Sequence, residues 1–238
     1  MKYFHFLLVF SIFLVFATCK KEHLFKDYTL KGLVFGTTYK ITYLNSDTNY
    51  QKSIDSLFLK VNLSLSTYME RSDISKINKG DTDIIVDDFF VEVLKKSKRI
   101  FIETDGFFDP TVGNLVNAWG FGPKIEKLNL TEDQVKVQMQ FVGLDKVKLK
   151  NKRIVKEKPE IYLDFNSIAK GFGIDVIARF LESKEIHNYL VEIGGEIRTG
   201  GFKKEQQPWV VKLVDPIEST SNSGFKNLNL SNKSMATS

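Results

Sequence analysis

The chain has little cysteine, histidine or proline for its 238 residues. It contains one cysteine, three histidines and five prolines. A single cysteine excludes an internal disulfide framework, and no Cys/His spacing indicates a zinc site. Neither a Gly-x-Ser-x-Gly turn nor a P-loop motif is present. No Gly-x-Gly-x-x-Gly motif follows an N-terminal strand, which disfavours a dinucleotide-binding oxidoreductase.

The composition is that of a folded protein with a mixed surface charge. Apolar residues make up 42% and charged residues 26% of the chain, so a packed core is expected. The net charge is +5, but basic and acidic residues are interspersed along the sequence. This pattern is typical of a solvated surface, and we expect no nucleic-acid partner. The length suits one globular domain with appendages.

The N-terminus has the pattern of an export signal. Lys2 precedes an apolar run from Phe6 to Ala17 that only Ser11 interrupts, and the lone Cys19 follows. Twelve residues at about 1.5 Å each are too short to span a bilayer. The run and its cysteine resemble a bacterial lipoprotein signal, which predicts a signal peptide over residues 1–18, lipidation at Cys19 and a tether over residues 19–31. A secretory signal with an incidental cysteine is the alternative.

Hydrophobic periodicity predicts a mixture of strands and helices. Residues 37–44 alternate as in a half-buried strand, and residues 161–165, 189–193 and 209–214 are predicted as further strands. Apolar residues at helical spacing predict helices over residues 54–65, 90–101 and from about residue 168. The second helix has a cap at Asp87 or Asp88, and Thr131 with Gln134 predicts a capping box. Residues 218–232 are predicted as a loop or an extended hairpin. Without a regular strand–helix alternation, the fold class is α+β rather than a doubly wound sheet.

Three segments combine turn residues with groups that bind ligands. In residues 104–113, Asp109 and Thr111 flank Pro110, a pattern that also suits a plain turn or helix start. In residues 163–175, Asp164 ends a predicted strand and Lys170 lies in the first turns of a helix. A helix N-terminus with a nearby lysine attracts phosphate, although a capped helix with an exposed lysine is equally consistent. In residues 191–201, two glycines allow either a hairpin turn or close approach to a ligand.

Taken in order, these segments resemble the ApbE family of flavin transferases. The resemblance covers residues 32–238, an ApbE-like domain with a mixed sheet and packed helices. It rests on residues 36–39, 64–69, 75–78, 105–113, 119–123, 163–175 and 192–196.

The resemblance implies a magnesium-dependent enzyme that transfers FMN from FAD to a threonine or serine hydroxyl of an acceptor protein. A phosphoester forms and AMP is released. Acceptors in the family include subunits of membrane redox pumps. The implied location is the periplasmic side of a membrane, with the inner membrane expected.

The resemblance also assigns residue roles. Tyr68 or Met69 would pack on a ring of FAD, Asp109, Pro110 and Thr111 would line the FAD site, and Asp164 and Lys170 would bind the nucleotide. The main-chain carbonyl of Ser167 would coordinate Mg²⁺, and Phe35 would occupy a position where the family often has methionine. No catalytic base is assigned.

In the family, residues 235–238 continue into a C-terminal segment with a histidine motif and the side-chain metal ligands. We therefore expect the C-terminal part of the fold to be missing here, and the 238-residue chain alone to be inactive or nearly so. A lipid-anchored FAD-binding protein without transfer, and an FAD pyrophosphatase that uses water as acceptor, are the alternative functions.

Overall fold

The computed structural model describes residues 24–123, 127–214 and 224–237. The predicted signal peptide and Cys19 lie outside the described residues. The described strands are β1 Lys26–Val34, β2 Thr37–Ser46, β3 Val147–Lys150, β4 Arg153–Lys156, β5 Tyr189–Ile193, β6 Glu196–Gly200, β7 Trp209–Val214, β8 Gly224–Leu230 and β9 Ser234–Met235. The described α-helices are α1 Gln51–Leu65, α2 Asp73–Asn78, α3 Asp88–Glu103, α4 Gly113–Ala118, α5 Glu132–Met139 and α6 Asn166–Glu182.

The main sheet is antiparallel and has the strand order β1-β2-β5-β6-β9. The predicted alternation in β2 is confirmed, because Tyr39, Ile41 and Tyr43 are buried on one face while Lys40 is exposed on the other. Residues 26–31 correct the predicted tether: they form most of β1, an edge strand paired with β2. Only one of its residues before Gly32, Leu30, is buried, so its sequence resembles a polar linker.

Helices α1 and α6 pack between two apolar clusters. Their residues Ile54, Phe58, Ile174 and Ile177 pack with the inner face of the sheet. On the other side, a second cluster includes residues of α1, α3, β3, β4 and α6. Burial of apolar residues at helical spacing confirms the predicted helices.

Local capping signals are also confirmed. Asp87 is the N-cap of α3, and its carboxylate accepts a hydrogen bond from the main-chain N–H of Phe90. Thr131 and Gln134 form the reciprocal capping box at α5. Both motifs satisfy main-chain donors that the first helical turn leaves without partners.

Residues 161–165 are not a strand, contrary to the prediction. All of them except the half-buried Tyr162 are buried, but their one strand-like pairing is an isolated parallel bridge between Tyr162 and Val112. Side chains provide much of the hydrogen bonding instead. Asn78 accepts from Leu163 N at 2.9 Å and donates to Leu163 O at 2.8 Å. The N–H of Asp164 donates to the carbonyl of Pro110 at 2.7 Å.

Strands β7 and β8 form a separate two-stranded hairpin. The indole N–H of Trp209 donates to the carbonyl of Gly200 at 3.0 Å and joins this hairpin to the main sheet. Of residues 218–232, predicted as a loop or an extended hairpin, residues 224–230 form one strand of this hairpin, and its other strand is β7. Residues 215–223 lie outside the description. The mixture of antiparallel strands and helices confirms the α+β class. Within the described ranges, no helix is long and apolar enough to cross a membrane.

Candidate functional site

A cavity of about 1030 Å³ opens beside the β1–β2 turn and the start of α6. This size is at the upper end of ordinary small-molecule and cofactor sites. Segments far apart in the sequence meet on its walls. The lining residues are Phe35, Gly36, Val61, Asn62, Leu65, Ser66, Tyr68, Met69, Asp109, Pro110, Val112, Val116, Phe121, Asp164, Asn166, Ser167, Ala169 and Lys170.

The β1–β2 turn forms one edge of the cavity. Phe35 and Gly36 both have positive φ angles, 51° and 75°, as a tight two-residue hairpin turn requires. The Phe35 ring packs edge-on to Phe58, with the ring centroids 5.7 Å apart. It also lies over Gly173, where an added Cβ would come within 2.6 Å of the ring. The aromatic side chain is therefore held against the first turns of α6.

The segment after α1 supplies an exposed aromatic ring. Tyr68 is 60% exposed, and its hydroxyl donates to the carbonyl of Phe121 at 3.0 Å. Met69 is half-buried and lines the cavity beside it. An aromatic ring and a polarizable thioether both pack well on a planar ligand. The geometry therefore places both residues where they could contact a flavin or adenine ring.

A hydrogen-bonded turn builds the wall at Asp109 and Pro110. One carboxylate oxygen of Asp109 accepts from the N–H and the hydroxyl of Thr111, at 2.8 and 2.6 Å. The other oxygen accepts from Leu144 N at 3.2 Å. The hydroxyl of Thr111 in turn accepts from Gly143 N at 2.7 Å. These bonds tie the turn to a loop more than thirty residues later in the chain.

The structure places Thr111 beneath the cavity wall and not on it, in contrast to the expectation that Thr111 lines the FAD site. Its relative exposure is 0%, and both hydrogen-bonding functions of its hydroxyl are used within the protein. The loop at residues 143–144 covers the side chain. Thr111 therefore acts through the position of Asp109 and Pro110, which do line the cavity.

The start of α6 forms the polar end of the cavity. The helix begins at Asn166, two residues before the predicted start, and Phe165 provides no side-chain cap. Main-chain N–H groups of a first helical turn favour anions. Ser167 and Lys170, both in the first turns, line the cavity. The sequence pattern had placed a phosphate-binding group at this helix start, and the geometry is compatible with it.

Asp164 is a buried carboxylate at the same end. It is 6% exposed, and its oxygens accept from the N–H and the side-chain amide of Asn166, at 2.7 and 3.2 Å. Burial raises the pKa of the Asp164 carboxyl above its ordinary value, although the Asn166 hydrogen bonds act in the opposite direction. A cation or a donor from a ligand would stabilise the ionised form.

Glu196 was not predicted as a site residue. Its carboxylate lies 3.1 Å from the Lys170 ammonium. Glu196 begins β6 directly after a turn in which Gly194 and Gly195 have φ angles of 54° and 87°. The double glycine is therefore a hairpin turn, one of its two predicted roles. The feature of the sequence that could have indicated Glu196 as a site residue is its place directly after the two glycines.

Other parts of the site also escaped the sequence analysis. Asn62, Val116 and Asn166 line the cavity, and Asn78 holds the segment that carries Asp164. Across the described ranges, no group of three or more His, Cys, Asp or Glu side chains could hold a metal ion. His187 lies at the opposite end of the sheet, near the start of β5.

Comparison with known proteins agrees with this arrangement. A family model described as the ApbE family matches residues 35–238. The chain belongs to the ApbE family. The FAD:protein FMN transferase of Haemophilus influenzae is 36% identical over 236 residues, covering 93% of this chain and 68% of that protein. The transferase of Vibrio cholerae is 35% identical, covering 85% and 63%.

Solved structures of ApbE proteins have the same fold. Flavin transferase ApbE from Vibrio cholerae gives a TM-score of 0.80 at 33% identity, covering 90% of this chain and 72% of that one. The apbe protein from Thermotoga maritima gives 0.77 at 27% identity, covering 90% and 70%. The chain thus spans about two thirds of the length of its curated relatives, from 57% to 70% for the proteins compared. The resemblance seen in the sequence is confirmed.

Proposed function

We propose that this protein is an FAD:protein FMN transferase, in which the cavity binds FAD and FMN is transferred to a threonine or serine hydroxyl of an acceptor protein. One observation carries the proposal. A single cavity joins a wall of apolar and aromatic side chains to a polar end formed by Lys170 and the start of α6. FAD has the matching chemistry, with planar rings at its ends and a pyrophosphate between them. The curated ApbE relatives of this chain are named FAD:protein FMN transferase.

The proposed residue roles follow from the position of each side chain. Tyr68 and Met69 would pack on a ring of FAD, while Asp109 and Pro110 would form the wall beside it. The ammonium of Lys170 would attract a phosphate oxygen, supported by main-chain N–H groups of α6. Asp164 lies at the same end, where its carboxylate already accepts hydrogen bonds from Asn166, and a cation bound there would compensate its charge.

Mg²⁺ is the proposed cofactor. Ser167 and Asp164 both line the cavity at the phosphate end. The resemblance assigns the main-chain carbonyl of Ser167 as a metal ligand, and the Asp164 carboxylate lies nearby; hard cations prefer such oxygens. Magnesium in nucleotide sites commonly uses one or two protein ligands, substrate phosphates and water, so this small donor set fits. When bound, the ion would neutralise charge on the pyrophosphate. In whichever product transfers FMN, the 238-residue chain or a longer one, removal of divalent cations with EDTA should abolish transfer, and added Mg²⁺ should restore it.

The proposed reaction replaces the phosphoanhydride bond of the FAD pyrophosphate by a phosphoester bond. The acceptor hydroxyl oxygen forms a bond to the FMN phosphorus, the bond from that phosphorus to the bridging oxygen breaks, and AMP leaves. The hydroxyl proton is released, and no protein group is assigned as its acceptor. Such a reaction depends mainly on positioning and charge stabilisation, which the cavity residues can provide.

The acceptor assay tests the function directly. The purified chain is mixed with FAD, Mg²⁺ and an acceptor domain from a membrane redox pump, and the acceptor is weighed by mass spectrometry. Where the gene's reading frame runs further, the longer product is assayed beside the 238-residue chain. A mass gain equal to FMN with release of AMP supports transfer. Free FMN and AMP without a mass gain would favour the pyrophosphatase, and FAD binding without products would favour a flavin-binding protein.

We also propose export and lipidation at Cys19, on the periplasmic side of the membrane. The described chain starts near Leu24 and Phe25, which are exposed at the beginning of β1. Nine residues of β1 then extend roughly 30 Å to the turn at the cavity. An anchor at Cys19 would therefore attach at the end of the sheet opposite the cavity. Mass spectrometry of the membrane fraction should find an acylated N-terminal cysteine, and Cys19→Ala should release the protein.

A further inference from the structure

The ion pair between Lys170 and Glu196 joins two segments at the polar end of the cavity. The ammonium and carboxylate are 3.1 Å apart, and the side chains are 31% and 21% exposed. Lys170 lines the cavity, whereas Glu196 lies behind it at the start of β6. The lysine is therefore held between the cavity and a carboxylate on the sheet.

The main chain fixes the position of Glu196. It pairs with Ile193 across the β5–β6 hairpin, and the N–H of Gly194 donates to the carbonyl of Thr38 on β2 at 3.0 Å. The N–H of Gly195 donates to the Glu192 carboxylate at 2.8 Å. The turn is thus bound to the sheet at both glycines. The main chain is therefore held in place where β6 begins at Glu196.

The α6 surface leaves room for this carboxylate. A Cβ added at Gly171 would lie 3.4 Å from the carboxylate of Glu196, at the edge of ordinary contact. A larger side chain at residue 171 would meet the carboxylate. The glycine next to Lys170 therefore allows Glu196 to approach the first turns of the helix.

A lysine side chain has four rotatable carbon–carbon bonds and loses much conformational entropy when one position is imposed. A carboxylate already in place restricts those conformations before a ligand arrives. The opposing effect is repulsion between Glu196 and phosphate oxygens. The Lys170 ammonium would lie between the Glu196 carboxylate and a bound phosphate. The attraction of both groups for the ammonium should therefore exceed the repulsion between them.

We propose that Glu196 is a positioning residue that holds the ammonium of Lys170 at the phosphate end of the cavity. This inference rests on the proposed FAD site. Glu196 acts only through Lys170, and only on ligands that carry phosphate. It contacts neither the flavin nor the adenine ring.

A double-mutant cycle on ligand binding tests this role. Glu196→Gln, Lys170→Met and the double variant are made in the full chain, and their affinities for FAD and riboflavin are measured by flavin fluorescence. E196Q should weaken FAD binding about two- to fivefold, the range for a partly exposed ion pair. K170M should weaken it at least as much. Riboflavin, which has no phosphate, should bind all four proteins equally.

The decisive result is the effect of E196Q in the K170M background. If Glu196 acts through the lysine, E196Q should then change FAD affinity less than about 1.5-fold, which is a negligible difference in binding free energy. Glu92→Gln is the matched control, because Glu92 forms ion pairs with Lys96 and Arg179 on α3 and α6 and does not line the cavity. It should leave FAD binding unchanged. Urea unfolding of each variant shows that the comparison is made on folded proteins.

Other outcomes overturn the inference. Equal losses from E196Q with and without Lys170 would mean that Glu196 acts independently of the lysine. Tighter FAD binding by E196Q would mean that repulsion of the phosphates dominates. Loss of riboflavin binding would indicate a general defect of the cavity. If the unaltered protein binds riboflavin but not FAD, the FAD site itself is wrong, and the proposed function fails together with this role.

Discussion

The hydroxyl of Thr111 is expected to stabilise the wall of the cavity, and Thr111→Val tests this. The substitution keeps the shape of the side chain but removes a hydroxyl that is completely buried. It deletes the 2.6 Å hydrogen bond to the Asp109 carboxylate and leaves the N–H of Gly143 without its 2.7 Å partner. A hydrogen bond to a charged group contributes about 1.5–3 kcal/mol, and an unpaired buried donor costs about 1–3 kcal/mol.

These two effects share one side chain and are not fully additive, so we expect T111V to lose about 2–4 kcal/mol of unfolding free energy. For a chain of this size the melting temperature should fall by about 2–4 °C per kcal/mol. Urea unfolding, followed by circular dichroism, measures the change in midpoint and slope. Because Asp109 and Pro110 line the cavity, FAD binding should weaken as well.

Two controls separate the hydroxyl from other effects of the substitution. Thr111→Ser keeps the hydroxyl and should lose clearly less stability than T111V. Thr38→Val makes the same chemical change at an exposed position of β2 and should stay within about 0.5 kcal/mol of the unaltered protein. If T111V also stays within that range, the hydroxyl bridge does not hold the turn and the reasoning is refuted.

Three further changes have definite expected outcomes. Asn78→Leu should cost about 2–4 kcal/mol in urea unfolding, because both main-chain groups of Leu163 lose their partner; a loss below about 0.5 kcal/mol would contradict this. Burial raises the folded-state pKa of Asp164, so its contribution to stability is present below its unfolded pKa and is lost as the pH rises through the folded pKa. Asp164→Asn should therefore flatten the dependence of unfolding free energy on pH above about 4, where the carboxyl of the unfolded chain ionises, and an unchanged slope would argue against it. Gly113→Ala places a Cβ 2.9 Å from the main-chain oxygen of Tyr162, and should cost about 1–3 kcal/mol by calorimetry or urea unfolding; an undamaged protein would show that this backbone can move.

Features governed by neighbouring residues could be predicted from the sequence. The alternation in β2, the apolar stripe of α1, the Asp87 cap and the capping box at Thr131 were all confirmed. Each depends on residues two to four positions apart, which share a face or a helical turn in any fold. Such patterns predict local structure correctly even when the contacts between distant residues are unknown.

The wrong predictions concern segments whose partners are distant in the sequence. Residues 161–165 are mostly apolar, as in a buried strand, but Asn78 takes the hydrogen bonds of Leu163 that a neighbouring strand would have taken. Residues 26–31 look like a polar linker, yet they pair with β2 as an edge strand. Composition cannot distinguish these cases, because a ladder exists only where a second strand lies beside the first.

In the candidate site, too, some features could be predicted from neighbouring residues and others depend on distant contacts. The order of motifs along the chain was enough to indicate the ApbE family and just under half of the residues that line the cavity. It could not separate Asp109 and Pro110, which are on the wall, from Thr111, which lies beneath it. Asp109 and Thr111 both accept hydrogen bonds from the loop at residues 143–144, but only the Thr111 side chain is completely buried there.

The sequence by itself determined the family, the α+β class and the presence of a phosphate-binding pattern at the start of α6. These are properties of local chemistry and of motif order, which a linear chain carries directly. Only the tertiary structure decided that Glu196 pairs with Lys170 and that Asn78 holds Leu163, the residue before Asp164. Those contacts join residues 26 and 85 positions apart, and the chain brings such residues together only when the apolar faces of its helices and sheet are buried.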